Sequence, residues 1–300
     1  MARLAFVFSG QGAQYAGMGK SLYTGSIAAK ALLDTFEKMR PGTLEQCFSG
    51  SEETLKDTCN TQPCVFAVSM AAAAALTERG VRADALAGFS LGEVTALTFG
   101  GAFSAEDGFS LVIRRAEYMA EAAKQNPSSM LAVLKLSAQQ IETLAKNYVN
   151  LFPVNYNCPG QTVVAGDAET LRAFQTAVKA AGGRAIPLKV SGGFHSPYMQ
   201  SASVGFEEAL RAYMPAPLQY PVYANLTGKP YGENIAETLV LQMTNPVRWQ
   251  ETVENMINDG ITTFIELGPG KTLKGFIEKC SNQVRAFHVE DMEGVKNYVN

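Results

Sequence analysis

At about 150 residues per domain, 300 residues suffice for two folding units, or for one larger unit carrying an insertion, so repeat arrays and staple-dependent mini-proteins are excluded. Apolar residues make up 47% and charged residues 18%, the balance of a chain that folds by ordinary hydrophobic burial. The 25 Lys and Arg against 28 Asp and Glu leave a net charge of −3 with no run of like charge, which removes the electrostatic footprint of a nucleic-acid binder.

The opening MARLAFVF lacks the apolar core and cleavage site of a secretory signal; it reads as a first strand, and a cytoplasmic location is expected. The longest nearly apolar run, Cys64 to Leu76, is 13 residues of mostly alanine, too short to span a bilayer, so it reads as a buried helix with no membrane partner. Five cysteines (Cys47, Cys59, Cys64, Cys158, Cys280) without CxxC spacing, and only two histidines, lead us to expect reduced thiols, no metal and no bound cofactor.

Strand and helix patterns alternate over the first 126 residues: a strand Arg3 to Phe8, helical stretches Ser26 to Lys38 and Thr54 to Asn60, and a long helix Gln62 to Arg79 with Pro63 in its first turn and Gly80 as its stop. A strand Ala85 to Phe89 and helices Leu91 to Leu97 and Ala105 to Lys124 complete an α/β rhythm. The rhythm changes near Pro127: strand 130–136, helix 138–146, strands 149–156 and 162–165, helix 168–181, strand 184–190. This β-α-β-β-α-β order is that of a ferredoxin-like unit. A helix 197–213, strand 222–226, helices 236–243 and 250–259, strand 262–267, helix 272–278 and strand 284–289 follow. The fold class expected is therefore an α/β domain with a parallel sheet, split into 1–126 and 194–300 by a subdomain over 127–193.

Two glycine-rich strings carry no nucleotide site. Gly10-Gln11-Gly12 lacks the third glycine of a dinucleotide loop, where Tyr15 stands, and Gly270-Lys271-Thr272 has Ile265 at the position where a P-loop needs glycine. Gly88-Phe89-Ser90-Leu91-Gly92 differs because a strand ends and a helix begins around Ser90, the elbow that exposes a nucleophilic hydroxyl. A serine hydroxyl needs a base, and only His195 and His288 exist. His288 sits in an alternating strand; His195 follows the flexible Ser191-Gly192-Gly193-Phe194 junction where the inserted unit hands back the chain, and is the better candidate. Arg114 and Arg115 point about 100° apart on one helix. Arg114 shares a solvated stripe with Ser110, Glu117 and Glu121. Arg115 shares an apolar one with Leu111, Tyr118, Met119 and Ala122, where a guanidinium seeks an anion or snorkels along the stripe.

Eight strings in order resemble malonyl-CoA:acyl carrier protein transacylases: Phe8-Ser-Gly-Gln-Gly-Ala-Gln14, Thr61-Gln-Pro63, Gly88-Phe-Ser-Leu-Gly-Glu93, Arg115 with Met119, Asn157-Cys-Pro-Gly-Gln161, Gly193-Phe-His-Ser196, Gln242-Met-Thr-Asn-Pro-Val-Arg-Trp249 and Glu266-Leu-Gly-Pro-Gly-Lys271. The likeness runs from Leu4 to about Glu290. It implies a large α/β-hydrolase-like domain with a ferredoxin-like insertion, and ping-pong acyl transfer for fatty acid biosynthesis. By the resemblance, Ser90 is the nucleophile, His195 the base and Gln242 the residue orienting it through a carbonyl. Backbone N–H groups of Gln11 and Leu91 form the oxyanion hole, Arg115 pairs with the malonyl carboxylate, Gln62 lines the site, and Phe194 narrows the acyl pocket against an α-methyl group. The implied substrates are malonyl-CoA, a coenzyme A thioester, and the phosphopantetheine thiol of holo-acyl carrier protein; a monomer is expected. Many members carry His where this chain has Phe89. The rivals are an acyltransferase serving a polyketide synthase, an α/β serine hydrolase or thioesterase, and a docking module without catalysis. An acidic carrier calls for a basic patch, for which Lys179, Arg184, Lys189, Lys271 and Lys274 are candidates.

Overall fold

The computed structural model describes residues 3–299. In chain order it has β1 (Arg3–Phe8), α1 (Lys20–Gly25), α2 (Ile27–Met39), α3 (Thr43–Ser49), α4 (Glu52–Lys56), α5 (Thr58–Glu78), β2 (Ala85–Gly88), α6 (Leu91–Phe99) and α7 (Ala105–Gln125). Then come β3 (Ser129–Leu134), α8 (Ala138–Ala145), β4 (Phe152–Cys158), β5 (Gln161–Gly166), α9 (Ala168–Ala180) and β6 (Arg184–Pro187). After a 3-10 turn, the chain ends with α10 (Gln200–Leu210), β7 (Val222–Tyr223), α11 (Ile235–Gln242), α12 (Trp249–Asn258), β8 (Ile261–Leu267), α13 (Thr272–Cys280), β9 (Arg285–Val289) and α14 (Met292–Val299).

A mixed α/β architecture with a parallel sheet results. Five strands lie in the order β7-β2-β1-β8-β9, every pair parallel. Because side chains alternate across a strand, β1 feeds two cores at once: Phe6 and Phe8 join a cluster with α2, α5, α6 and α7, while Ala5 and Val7 join Trp249, Val253, Leu273 and Ile277 of α12 and α13. All four β1 residues are fully buried, the continuous apolar run that a parallel strand covered on both faces requires. A second, antiparallel sheet has the order β4-β5-β3-β6. On β3, Leu131 and Val133 pack with Leu171, Phe174 and Val178 of α9, whereas Met130 and Ala132 face the large cluster.

Several expected boundaries move. The helix expected over 54–60 breaks at Asp57, whose side chain caps the Cys59 N–H, so the long helix starts at Thr58 rather than Gln62. Pro63 is thus not in the first turn. Having no N–H, it leaves the Cys59 carbonyl without its helical donor, and Arg40 Nη2 supplies one at 3.3 Å. This α5 is the one helix among the described residues long and apolar enough to cross a membrane; 83% of its apolar window is buried in the fold, as expected of a core helix. The strand expected over 222–226 stops at Tyr223, because the Ala224 N–H turns back onto the Lys229 carbonyl at 2.9 Å. β6 stops at Pro187 rather than Val190. The short helices α1, α3 and α14 had no periodicity long enough to stand out.

Candidate active site

The site is built where β2 turns into α6. Ser90 has φ 54°, ψ −103°, a conformation strained for a residue with a Cβ, and it lifts the side chain out of both elements. The turn is too tight for side chains on either flank. A Cβ at Gly88 would lie 1.8 Å from the Gly92 carbonyl oxygen, and one at Gly92 would lie 2.1 Å from that of Phe8. Asn225, just past the end of β7, clamps the bend: its Oδ1 accepts the Ser90 N–H at 2.7 Å and its Nδ2 donates to the Gly88 carbonyl at 2.7 Å.

His195 lies in the loop returning from β6, buried, also with positive φ (61°). Its Nε2 is 2.7 Å from Ser90 Oγ and its Nδ1 is 2.8 Å from the Gln242 backbone carbonyl. A carbonyl can only accept, so the neutral ring carries its proton on Nδ1 and turns the Nε2 lone pair toward the serine hydroxyl. Burial, reinforced by the nearby Arg115 charge, pushes the His195 pKa down to about 4, so the ring is in its base form at neutral pH. His288 lies on edge strand β9, 3.8 Å from Glu290.

The two adjacent arginines separate as their helix faces require. Arg114 is 60% exposed and pairs with Glu117 at 3.0 Å. Arg115 is fully buried and donates to Gln62 Oε1 (2.8 Å), Gln242 Oε1 (3.0 Å) and Ser90 Oγ (3.2 Å), while its Nε has no partner. Burial lowers its pKa to about 10 against the opposing pull of Glu93, which leaves it cationic at neutral pH. Gln62 Nε2 faces Gln11 Oε1 at 3.5 Å, and Gln11 Nε2 donates to Thr58 Oγ1 at 3.2 Å. Ser90, His195, Gln242, Arg115, Gln62 and Gln11 thus form one connected set. Leu91 opens α6 directly after the serine, and neither its N–H nor that of Gln11 donates within the protein among the described residues. Phe194 is buried in the large core beside His195, and it does not line the adjoining cleft.

That cleft, about 690 Å³, runs between the two sheets, walled by the Gly10–Ala16 loop, by Asn155, Asn157 and Gln161, and by Leu273 and Phe276 of α13. Phe89 lines it too, edge-on to Trp249 at 5.7 Å, so an aromatic contact occupies the place of a hydrogen-bonding ring. Of the five candidate basic residues, only Lys189 lines the cleft, and it faces Glu52 at 3.4 Å; the cleft also includes Lys56, which the sequence did not single out. A larger hollow of about 1050 Å³ beside α10 and α11 contains none of the expected site residues. At Gly270 the N–H is taken by Glu290 Oε2 at 2.8 Å, in keeping with an ordinary loop rather than a phosphate cradle.

Asn225, Glu93 and Tyr231 are the polar residues of this site that sequence reasoning missed. Glu93 carried a signal, the single charged residue of α6, in its first turn. Asn225 is 135 residues from Ser90 and carried none. A serine hydroxyl on an elbow, a neutral imidazole facing it and a buried guanidinium at the same hydroxyl form an arrangement able to carry acyl transfer through a serine ester.

The acyl transferase domain family model matches residues 5–297. The curated malonyl CoA-acyl carrier protein transacylase of Bacillus subtilis (strain 168) is 37% identical over 306 residues, covering 99% of this chain and 96% of that one. The crystal structure of the transacylase of that name from Clostridium perfringens superposes with a TM-score of 0.96 at 36% identity, covering 99% and 96% of the two chains. A malonyl-transacylase solved in complex with its type II polyketide synthase acyl-carrier protein superposes with a TM-score of 0.95 at 32% identity, covering 99% of each. The chain belongs to the malonyl CoA-acyl carrier protein transacylase family.

Proposed function

We propose that this chain transfers a malonyl group from malonyl-CoA to the phosphopantetheine thiol of an acyl carrier protein through a malonyl-Ser90 intermediate, supplying extender units for fatty acid biosynthesis. Ser90 Oγ attacks the thioester carbonyl while its proton passes to His195 Nε2; the collapse of the tetrahedral adduct expels the CoA sulfur, which takes that proton. The carrier thiol then gives a proton to His195, attacks the malonyl ester, and Ser90 leaves reprotonated. The N–H groups of Gln11 and Leu91 would receive the oxyanion, the second at a helix N-terminus where the dipole favours negative charge. Gln242 holds the base by its backbone carbonyl, and Arg115 receives the free carboxylate with Gln62 beside it. Phe194 would act on acyl selectivity through its packing beside His195.

The observation that carries the reading is the 2.7 Å contact from His195 to Ser90 with the Arg115 fork at the same hydroxyl. It also separates the reading from a serine hydrolase, which would set an acid on the histidine: here a backbone carbonyl stands there. The domain reading keeps 127–193 as a ferredoxin-like insertion in a hydrolase-like domain, supported by the order β4-β5-β3-β6 with α8 and α9 against it. The test is the intact mass of the protein after brief mixing with malonyl-CoA, then with holo-carrier. One malonyl group on Ser90, passed to the carrier and absent in Ser90→Ala, supports the proposal; label elsewhere, or none under rapid quench, refutes it.

A further inference from the structure

Glu93 has no role in the reaction as derived above, yet it is fully buried in the first turn of α6, 3 residues beyond Ser90. Its Oε1 accepts the Asn225 N–H at 3.0 Å and the Tyr231 hydroxyl, and its Oε2 accepts from Gln242 Nε2 at 2.7 Å. The Gln242 amide is thereby held in one orientation: both of its N–H groups are used, on Glu93 and on the Ser90 carbonyl at 2.8 Å, so its oxygen is turned to Arg115 Nη2 at 3.0 Å. The other end of the same guanidinium is held by Gln62 Oε1 at 2.8 Å. A carboxylate can only accept, and that one-sidedness sets the direction of every hydrogen bond up to the arginine.

We propose that Glu93 is a positioning residue for acyl specificity: by fixing the polarity of the Gln242 amide, it aims the Arg115 fork at the carboxylate of the incoming acyl group. The inference rests on the reading of Arg115 as the carboxylate receptor. A neutral amide at position 93 offers an N–H as well as an oxygen. Gln242 can then reverse, setting its NH2 against the guanidinium, donor against donor, and leaving the Ser90 carbonyl without its N–H. Burial raises the Glu93 pKa to about 7 while its three donors and Arg115 pull it back down, so these contacts favour the ionised, accept-only form, and the malonyl preference should weaken as pH falls below 7.

The experiment compares malonyl and acetyl loading of Ser90 from the two CoA thioesters, by rapid-quench intact mass, in wild type, Glu93→Gln, Tyr231→Phe, Arg115→Ala and the double variant Glu93→Gln with Arg115→Ala. We expect Glu93→Gln to lower the malonyl-to-acetyl ratio at least tenfold, chiefly through a higher malonyl-CoA KM. Tyr231→Phe, which removes only one donor to Glu93 and keeps the ring, lowers the ratio two- to threefold in the same direction and carries the test if Glu93→Gln does not fold. In the Arg115→Ala background, Glu93→Gln changes the ratio no further. An unchanged ratio in folded Glu93→Gln, or an equal further loss in the double variant, overturns the inference. Absence of any malonyl adduct on wild-type Ser90 overturns instead the reading on which it rests.

Discussion

Replacing Arg115 with alanine removes a guanidinium that is fully buried and reaches three oxygens, at 2.8, 3.0 and 3.2 Å. Malonyl and acetyl groups differ by one carboxylate, so discrimination between them depends on the partner that this charge meets once water is excluded. Truncating one side of a buried, hydrogen-bonded charge pair costs roughly 2 to 5 kcal/mol, which at about 1.4 kcal/mol per decade is a fall of about 30-fold to several thousand-fold in malonyl loading. The same change removes the cation that helps keep buried Glu93 ionised, so a carboxyl already raised to about 7 takes up a proton more readily and some stability is lost. The assay must therefore read a ratio. Both thioesters meet the same folded fraction, so kcat/KM for malonyl loading divided by that for acetyl loading isolates the lost contact from partial unfolding, and the melting temperature reports the stability loss separately. Acetyl loading should come close to or exceed malonyl loading in the variant. Arg115→Lys should restore only part of the preference, since an ammonium lacks the planar fork. Arg114→Ala removes an exposed i,i+3 pair worth at most about 1 kcal/mol and should leave the ratio unchanged. A variant without Arg115 that still prefers malonyl would refute the argument, as would a collapse of the preference in Arg114→Ala.

With the His195 pKa lowered from 6.5 to about 4, kcat/KM for acetyl loading, which does not use the Arg115 fork that Glu93 aims, should hold as pH falls through 6.5 and decline only toward 4; a limb centred at 6.5 would contradict the buried neutral ring. The same shift has a stability consequence: the unfolded chain takes up this proton near 6.5 and the native one only near 4, so the contribution is complete above 6.5 and lost progressively as pH falls to 4, and denaturant titrations of His195→Gln should lack it. Gly92→Ala must force a methyl to 2.1 Å from a backbone oxygen and should lose more than the roughly 1–3 kcal/mol typical of overpacking, whereas Gly275→Ala in α13 meets nothing within 4 Å and should gain about 0.4–1 kcal/mol, both read by denaturant midpoints. Charge reversal at Lys189 and Lys56 on the cleft wall should raise the KM for carrier protein more than reversal at exposed Lys179, with malonyl-CoA loading kept within about threefold; equal damage to both half-reactions would count against a carrier-docking surface.

Much of the site was legible because its pieces are local. The Gly88 to Gly92 string announced an elbow through the residues that a sharp bend demands, and the structure shows why: both glycine hydrogens face backbone atoms. The separation of Arg114 from Arg115 followed from helical geometry alone, since neighbours point about 100° apart and only one face of α7 is apolar. The scarcity of histidine did the rest, leaving two candidates, of which the one beside a glycine-rich junction reaches the serine.

Sequence by itself determined which side chains can react and which face of each element is buried, because alternation and helical period are properties of neighbours in the chain. It could not determine what closes around those side chains. Asn225, which holds the Ser90 N–H, comes from a segment 135 residues away and carried no signal, while Gln242, 47 residues from His195, was named only through the family resemblance and not from any pattern in its own segment. Their roles are made of backbone atoms and amide orientation, to which residue type is nearly blind. Helix boundaries failed for a related reason: α5 begins four residues early because Asp57 caps it and Arg40, from the end of α2, takes up the carbonyl that Pro63 cannot serve. Where a polar group finds its partner far along the chain, only the packing of the parallel sheet and its helices decides which partner that is.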